Sequence, residues 1–262
     1  MKIYLGTQGW SYKDWVGALY PPRTASRDYL PYYAQEFNAV ELDTTFYGTP
    51  LPDRVQLWDR STPSDFQFTA KTPRSVTHDK RLIDAQTDFE EFLGVMSGLG
   101  TKLGAVLIQL PPDFTTDERP ALEDFVAKLP PDFRFAVEFR HRSWLVDETY
   151  EFLRLHHVAW TMIDLVYMPR QIECTADFTY VRWLGDRRRI HRMHETQIDR
   201  TQDLDAWAGQ LENVAHKLER MYGFVNNHYS GHSPADVRGL KKRLGMPAAR
   251  PEMNRPEQGT LL

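Results

Sequence analysis

Apolar residues come in short bursts along the chain, and within most bursts they alternate with polar or small residues. A period of two predicts β-strands, because successive side chains of a strand point to opposite faces. On this basis strands are expected over residues 3–6, 39–43, 66–71, 105–110, 134–140, 159–164, 178–183 and 224–227. Between them the period lengthens to that of a helix. The strongest stripe runs over residues 203–222, with Leu204, Trp207, Leu211, Val214, Leu218 and Met221 on one side. Another carries Leu122, Phe125, Val126 and Leu129 behind the acidic start Thr116-Asp117-Glu118. A third has Phe89, Phe92, Leu93 and Met96 before Gly98 and Gly100. Ser233-Pro234 opens the last helix, which is expected to run to about Leu244.

Strands alternating with helices imply parallel pairing through right-handed crossovers. Eight such units predict an α/β fold of the (β/α)8 TIM-barrel type. One unit is incomplete: residues 165–177 contain Pro169 and no apolar stripe, so the sixth helix is expected to be short or missing. The barrel should occupy residues 1–247 as one domain, with a poorly ordered tail over 248–262.

In a barrel the outward strand positions meet helices and must be apolar, which fixes the parity of the inward ones. Val40 and Leu42 outward turn Glu41 and Asp43 inward; Phe68 and Ala70 outward turn Thr69 and Lys71 inward. Val106, Ile108 and Leu110 leave Leu107 and Gln109 facing the lumen, and Phe135, Val137 and Phe139 leave Glu138 and Arg140. The later strands add Asp164, Arg182 and Asn226. These polar residues gather toward the C-terminal strand ends, where barrel enzymes place their chemistry. The inward positions at the other end are blander: Ala39, Ala105, Ala136 and Trp160. Buried charges need partners, and three acids with three bases can neutralise one another. Any one of these residues could equally be a structural brace; their number, from separate strands at one end, points to a ligand or active site.

Composition narrows the classes. With 262 residues and 41% hydrophobic content the chain can bury a sizeable core. A net charge of -4 argues against holding nucleic acid by bulk electrostatics. The single cysteine, Cys174, excludes an intramolecular disulfide and a cysteine-cluster metal site. No apolar run approaches a membrane span, and MKIYLGTQGW turns polar too soon for a signal peptide, so a cytoplasmic setting is expected.

The loops hold further candidates. Trp10 and Tyr47 lie nearest the strand ends and could touch a ligand, whereas Trp15 and Tyr20 are expected to plug the barrel top. His78 stands near the mouth of the third strand, as an acid–base group or as a loop tie. The loop GDRRRIHRMH brings Arg187, Arg188, Arg189 and Arg192 together, and NNHYSGHSP places Gly231 before a helix start. Barrels bind phosphate at these two loops, which makes Arg187, Arg188, Arg189 and Gly231 a candidate phosphate site. Glu41, Glu138, Asp164 and His78 could offer oxygen and nitrogen ligands to a divalent ion. The reading is nonetheless against a metal, because no ligand motif appears and basic residues already balance the acids. GTQGW lacks the third glycine of a dinucleotide-binding turn, so no dinucleotide cofactor is expected.

Six stretches, GTQGWSYKDWVGALYP, NAVELDTTFYGTP, FTAKTPRSVTHDKRL, GAVLIQLPPDF, FAVEFRHRSW and FVNNHYSGHSP, occur in order. Together they resemble the YecE-like family of uncharacterised proteins, domain of unknown function 72, from about residue 3 to residue 245. The resemblance implies a TIM barrel and supplies no reaction. It also implies Arg-x-His-Gly on the seventh strand, where this chain has Arg182-Trp183-Leu184-Gly185. His191 or His194 could replace that histidine only if the loop folds back. A family-level likeness to endonuclease IV-like barrels would imply nucleic-acid binding, by analogy of fold.

The expected function is an enzyme of hydrolase or lyase type, acting on a small anionic sugar- or nucleotide-like phosphate. Glu41 and Glu138 would be the acid–base pair, with Asp164 and Lys71 setting their protonation. Desolvated, Lys71 could instead attack a carbonyl. Trp10, Tyr47, His78, Gln109, Arg140, Arg182, Asn226 and Asn227 would hold the substrate. The rivals are a nucleic-acid-binding or repair-related barrel and a non-catalytic sensor of small anions. No membrane partner is expected, and nothing in the sequence speaks to oligomeric state.

Overall fold

A computed structural model describes residues 1–248. Its eight parallel strands are β1 (Lys2–Thr7), β2 (Ala39–Leu42), β3 (Gln67–Lys71), β4 (Leu103–Gln109), β5 (Phe135–Glu138), β6 (Ala159–Leu165), β7 (Phe178–Gly185) and β8 (Arg220–Val225). They form one sheet in the order β1-β8-β7-β6-β5-β4-β3-β2. The covering helices are α1 (Tyr29–Glu36), α2 (Pro52–Arg60), α3 (Gln86–Met96), α4 (Arg119–Val126), α5 (Asp147–Leu155), α6 (Thr201–Val214) and α7 (Ser233–Arg243). No α-helix stands between β6 and β7, so the sixth helix is missing, as the absent apolar stripe predicts. The tail expected to be poorly ordered lies, from residue 249 on, outside the described residues. Among the described residues no helix is long and apolar enough to cross a membrane.

The sheet almost closes on itself, and the seam between β1 and β2 is made differently from the other joints. Among the described residues only an isolated bridge, Gln8 with Glu41, pairs the two backbones there. Below it, side chains replace the ladder. Asn38 accepts from Leu5 N–H at 2.9 Å and donates to the Ile3 carbonyl at 2.8 Å. Tyr33, from α1, accepts from Thr7 N–H at 2.8 Å and donates to the Ala39 carbonyl at 3.0 Å. Gly6 is required at this joint, because a Cβ there would stand 1.8 Å from the Ala39 oxygen.

The outward strand positions behave as parity predicts. Val40, Leu42, Phe68, Ala70, Val106, Ile108, Val137 and Phe139 are buried in one cluster with Tyr33, Phe89, Leu122, Trp207 and Leu240 of the helices. Each fully buried large side chain of this layer contributes about 1.5–3 kcal/mol. A smaller cluster fills the lumen: Ala39, Ala105, Leu107, Ala136, Ala159, Phe178, Tyr180, Tyr222 and Phe224.

Two boundaries differ from expectation. The stripe read as one helix over 203–222 ends at Val214, and β8 starts at Arg220 rather than 224. Met221 and Val225 join the outer core while Tyr222 and Phe224 fill the lumen, so the period there is two. Trp160, expected inward, faces outward and packs on Phe139 and Tyr150, with ring centroids at 5.2 and 5.1 Å. The lumen takes the small Ala159 instead.

Candidate functional site

Glu41, Glu138 and Arg182 meet inside the barrel at the C-terminal strand ends. Glu41 and Glu138 are 0% exposed and Arg182 is 3% exposed. The guanidinium bridges both acids, with Nη2 2.7 Å from Glu41 Oε1 and Nη1 2.5 Å from Glu138 Oε2. Tyr180, two residues before Arg182 and so on the same face of β7, donates to Glu41 Oε2 at 2.7 Å. Thr69 lies 2.7 Å from that phenol. The Gln8 carboxamide joins β1 and β8 to the network: one end is 2.7 Å from Asn226 Nδ2 and the other 3.1 Å from Arg182 Nε. Gln109, one strand from Glu138 and in register with it, is buried and donates to the Leu110 carbonyl.

Above this sealed layer is a second one that solvent reaches. Arg140 is 20% exposed; its Nε is 2.5 Å from Glu138 Oε1, and its two Nη groups have no protein acceptor among the described residues. Lys71, partly exposed, has no carboxylate within ion-pair distance and no hydrogen-bond acceptor for Nζ among the described residues. Its ammonium position lies 3.7 Å over the Phe46 ring, a weak substitute for a counter-ion. His78 sits on a π-helical turn, Ser75–Asp79, with its ring edge-on to Phe46 at 4.8 Å and Nδ1 2.8 Å from Thr77 Oγ1. Asp43 completes the layer, half-buried at the end of β2.

These contacts decide the protonation states. Burial alone would raise Glu138, but Arg140 and Arg182 outweigh it and bring the carboxyl down to about 2. Glu138 is therefore a fixed anion near neutrality. Burial lowers Lys71 to about 7; Arg182 and Arg140 add to that, and Glu138 and Glu41 oppose it. The two glutamates are already claimed by arginines, so they hold little of the lysine's charge. Burial, then Lys71, Arg74 and Arg140, push His78 down to about 4, so its imidazole is neutral. Asp43 is shifted up, by burial and then by Glu41.

Several expected site residues stand elsewhere. Asp164 faces outward: Trp207 Nε1 donates to it at 2.7 Å, Arg170 pairs with it at 2.8 Å, and Tyr229 donates at 3.2 Å. The rule that outward means apolar assumes a covering helix, and β6 lacks the helix that should follow it. Asn227 caps α7, with Oδ1 accepting from Ser233 N–H at 3.1 Å and from its hydroxyl at 2.8 Å. The Gly231 N–H donates to the Asn227 carbonyl at 2.8 Å, and a Cβ at Gly231 would stand 2.4 Å from the Glu195 carbonyl oxygen. The loop backbone expected to cradle phosphate is thus used internally. Arg187, Arg188 and Arg189 are exposed, and Arg188 is paired with Asp186. Leu184, where the resemblance implied a histidine, packs with Ile163 and Met168, and His191 and His194 are exposed.

Among the aromatics, Trp15 and Tyr20 are 0% and 1% exposed, but their rings stack on Tyr33 and Tyr29 of α1 and belong to the layer between sheet and helices rather than to the lumen. Trp10 packs edge-on against Trp58. Tyr47, 86% exposed, borders a cleft of about 390 Å3 formed with Thr44, Leu51, Arg54 and Trp58. Sequence reasoning gives no role to Tyr180 or Gln8, although both are legible as lumen positions by counting in twos from Arg182 and Tyr4. Among the described residues no group of His, Cys, Asp and Glu has the arrangement of a metal site.

Residues 4–260 match the family described as "Protein of unknown function DUF72". UPF0759 protein YecE of Escherichia coli (strain K12) is 37% identical over 139 residues, 53% of this chain and 48% of that protein. UPF0759 protein YunF of Bacillus subtilis (strain 168) is 35% identical over 156 residues, 57% of this chain and 54% of that protein. The chain thus spans about half the length of the curated relatives it matches. Among solved structures, a DUF72 family protein from Thermotoga maritima MSB8 shares 30% identity with a TM-score of 0.79, covering 94% of this chain and 100% of that one. A DUF72 family protein from Enterococcus faecalis V583 has a TM-score of 0.76 at 20% identity, a likeness of fold alone, over 94% of this chain and 98% of that one.

Proposed function

We propose, for a chain that belongs to the DUF72 family, an enzyme of hydrolase or lyase type that performs proton transfer on a small anionic substrate at the barrel mouth. The observation that carries this reading is the placement of Lys71: a partly exposed amine at a lumen-facing strand end, with no carboxylate at ion-pair distance among the described residues. Arg140 would hold the anion through its two unused Nη groups, in the bidentate geometry that suits carboxylate and phosphate. Lys71 would accept the proton, since its value of about 7 leaves a large neutral fraction at physiological pH. Asp43, shifted upward, would return a proton to the leaving group.

The roles differ from those the sequence alone invited. Glu138, held at about 2, serves as an electrostatic frame rather than as a general acid, and Glu41 shares the same guanidinium. Neutral His78 would offer a hydrogen bond at the rim. A sugar- or nucleotide-like body on the substrate would have room along the cleft bordered by Tyr47 and Arg54.

The test is turnover of a panel of phosphoesters, glycosides and hydroxy acids by wild type and by Lys71→Met. The variant should lose on the order of 100-fold in kcat, as expected for removal of a general base. A substrate turned over equally well by both would refute the reading. The wild-type rate should rise with pH through about 7 as Lys71 loses its proton.

A further inference from the structure

We propose that the Lys71 amine condenses with the carbonyl of a small anionic aldehyde or 2-oxo acid, forming an imine whose acidic end is gripped by Arg140. This rests on the reading of Lys71 as the reactive amine of the mouth and deepens it by naming a substrate class.

The contrast with another buried lysine carries the argument. Lys102 is also buried, but its Nζ is saturated: Asp59 and Thr62 carbonyls at 2.5 and 2.9 Å, and Asp59 Oδ1 at 3.0 Å. Those contacts fix a lysine as a structural tie between the chain before β3 and the start of β4. Lys71 has none of them. It lies on the lumen face of β3 at the functional end of the barrel, and Thr45 holds its carbonyl at 2.6 Å, so the backbone beneath it is fixed. The Phe46 face covers one side of the amine at 3.7 Å and limits the water that would hydrolyse an imine. The cations around the site, Arg140 and Arg182, favour both an anionic ligand and an uncharged amine.

The chemistry balances without redox. The Nζ lone pair adds to the carbonyl carbon, and the carbonyl oxygen becomes the hydroxyl of a carbinolamine. A proton from Asp43 turns that hydroxyl into water, which leaves as the C=N bond forms. The proton released from nitrogen restores Asp43, and the net change is the loss of one water. The titratable groups facing Lys71 are Glu41 and Asp43 at the end of β2, the neutral His78 on the turn after β3, Glu138 and Arg140 at the end of β5, and Arg182 on β7. Burial among them brings the amine to about 7, so at neutral pH it attacks without first losing a proton to a stronger base.

Borohydride reduction in the presence of pyruvate or glycolaldehyde phosphate tests the proposal. The peptide carrying Lys71 should gain the mass of the probe less one oxygen atom, and Lys71→Met protein should show no such adduct. Uncharged glycolaldehyde should label Lys71 on the order of ten-fold less, and Arg140→Gln should erase that difference, as loss of a charge-assisted anion contact predicts. Labelling of Lys71 no greater than of the exposed Lys13 and Lys80 would overturn the proposal. Acetic anhydride labelling against pH separates the two ideas. If Lys71 acetylates with a midpoint near 7 yet traps no imine, the imine falls and the base reading stands. If it titrates with the surface lysines, both fall.

Discussion

Glu138 and Lys71 sit in the same ring, and their pH dependences run in opposite directions. The folded value of Glu138, about 2, lies below the ordinary 4.5. Its contribution to stability is therefore present above pH 4.5 and lost as pH falls through 2, and amounts to about 3 kcal/mol. Urea midpoints of wild type and Glu138→Gln should differ clearly at pH 6 and converge toward pH 2. Lys71 goes the other way, because its value is lowered from 10.5 to about 7. The folded state sheds a proton that the unfolded chain keeps, so stability rises between pH 7 and 10.5. Lys71→Met should accordingly be more stable than wild type at pH 6, by about 5 kcal/mol, with the gap closing near pH 10. A destabilised Lys71→Met at pH 6 would mean that the amine has a counter-ion after all. Parity alone had located Glu41, Lys71, Glu138, Arg140 and Arg182 in the lumen, since each strand showed a clean apolar face on its other side. What it could not show is who pairs with whom. That Arg182 takes both glutamates and leaves Lys71 alone depends on distances of a few ångströms between residues from four strands, and no period in the chain encodes them.

The elements differ in how far local pattern governs them. Strands β2 to β5 are covered on their outer faces by helices, and their parity is legible. Strand β6 is followed by no helix, so Asp164 can face outward toward Arg170 and Trp207, and the same counting fails by one residue. The end of α6 is ambiguous in the sequence because Leu218 and Met221 continue a helical stripe while also fitting a strand period, and only pairing with β1 and β7 decides between them. The β1–β2 seam leaves no trace in the sequence that reasoning of this kind can find, since a single Asn and a single Tyr carry it. Asn38→Ala should leave the Leu5 N–H and the Ile3 carbonyl without partners, and Tyr33→Phe should do the same for Thr7 and Ala39. Each should cost about 1–3 kcal/mol. Amide exchange at Leu5 and Thr7 should speed up while that of β4 and β5 stays slow. Uniform acceleration across the sheet would show that the seam opens only with global unfolding.

At the scale of the molecule, the charge distribution separates the enzyme reading from a nucleic-acid one. The arginines of the β7–α6 loop are partly spent within the loop, Arg188 on Asp186 and Arg192 on Glu195, and the whole chain carries a net charge of -4. Oligonucleotide binding measured by fluorescence anisotropy at 150 mM salt should be absent or weaker than about 10 μM, which is the range of non-specific association. Tight binding whose strength falls steeply with added salt would revive the nucleic-acid reading. The barrel itself was legible from eight strand-like bursts, because α/β alternation leaves few topologies open. Its closure also sets an order of events during synthesis. β1 leaves the ribosome before the other seven strands, yet the strand that supplies its backbone ladder, β8, follows all of them, and its other neighbour reaches it mainly through two side chains. The nascent chain must therefore carry β1 without its ladder until β8 has been made, and a chaperone that shields that edge would protect this fold at the stage where it is most open to misassembly.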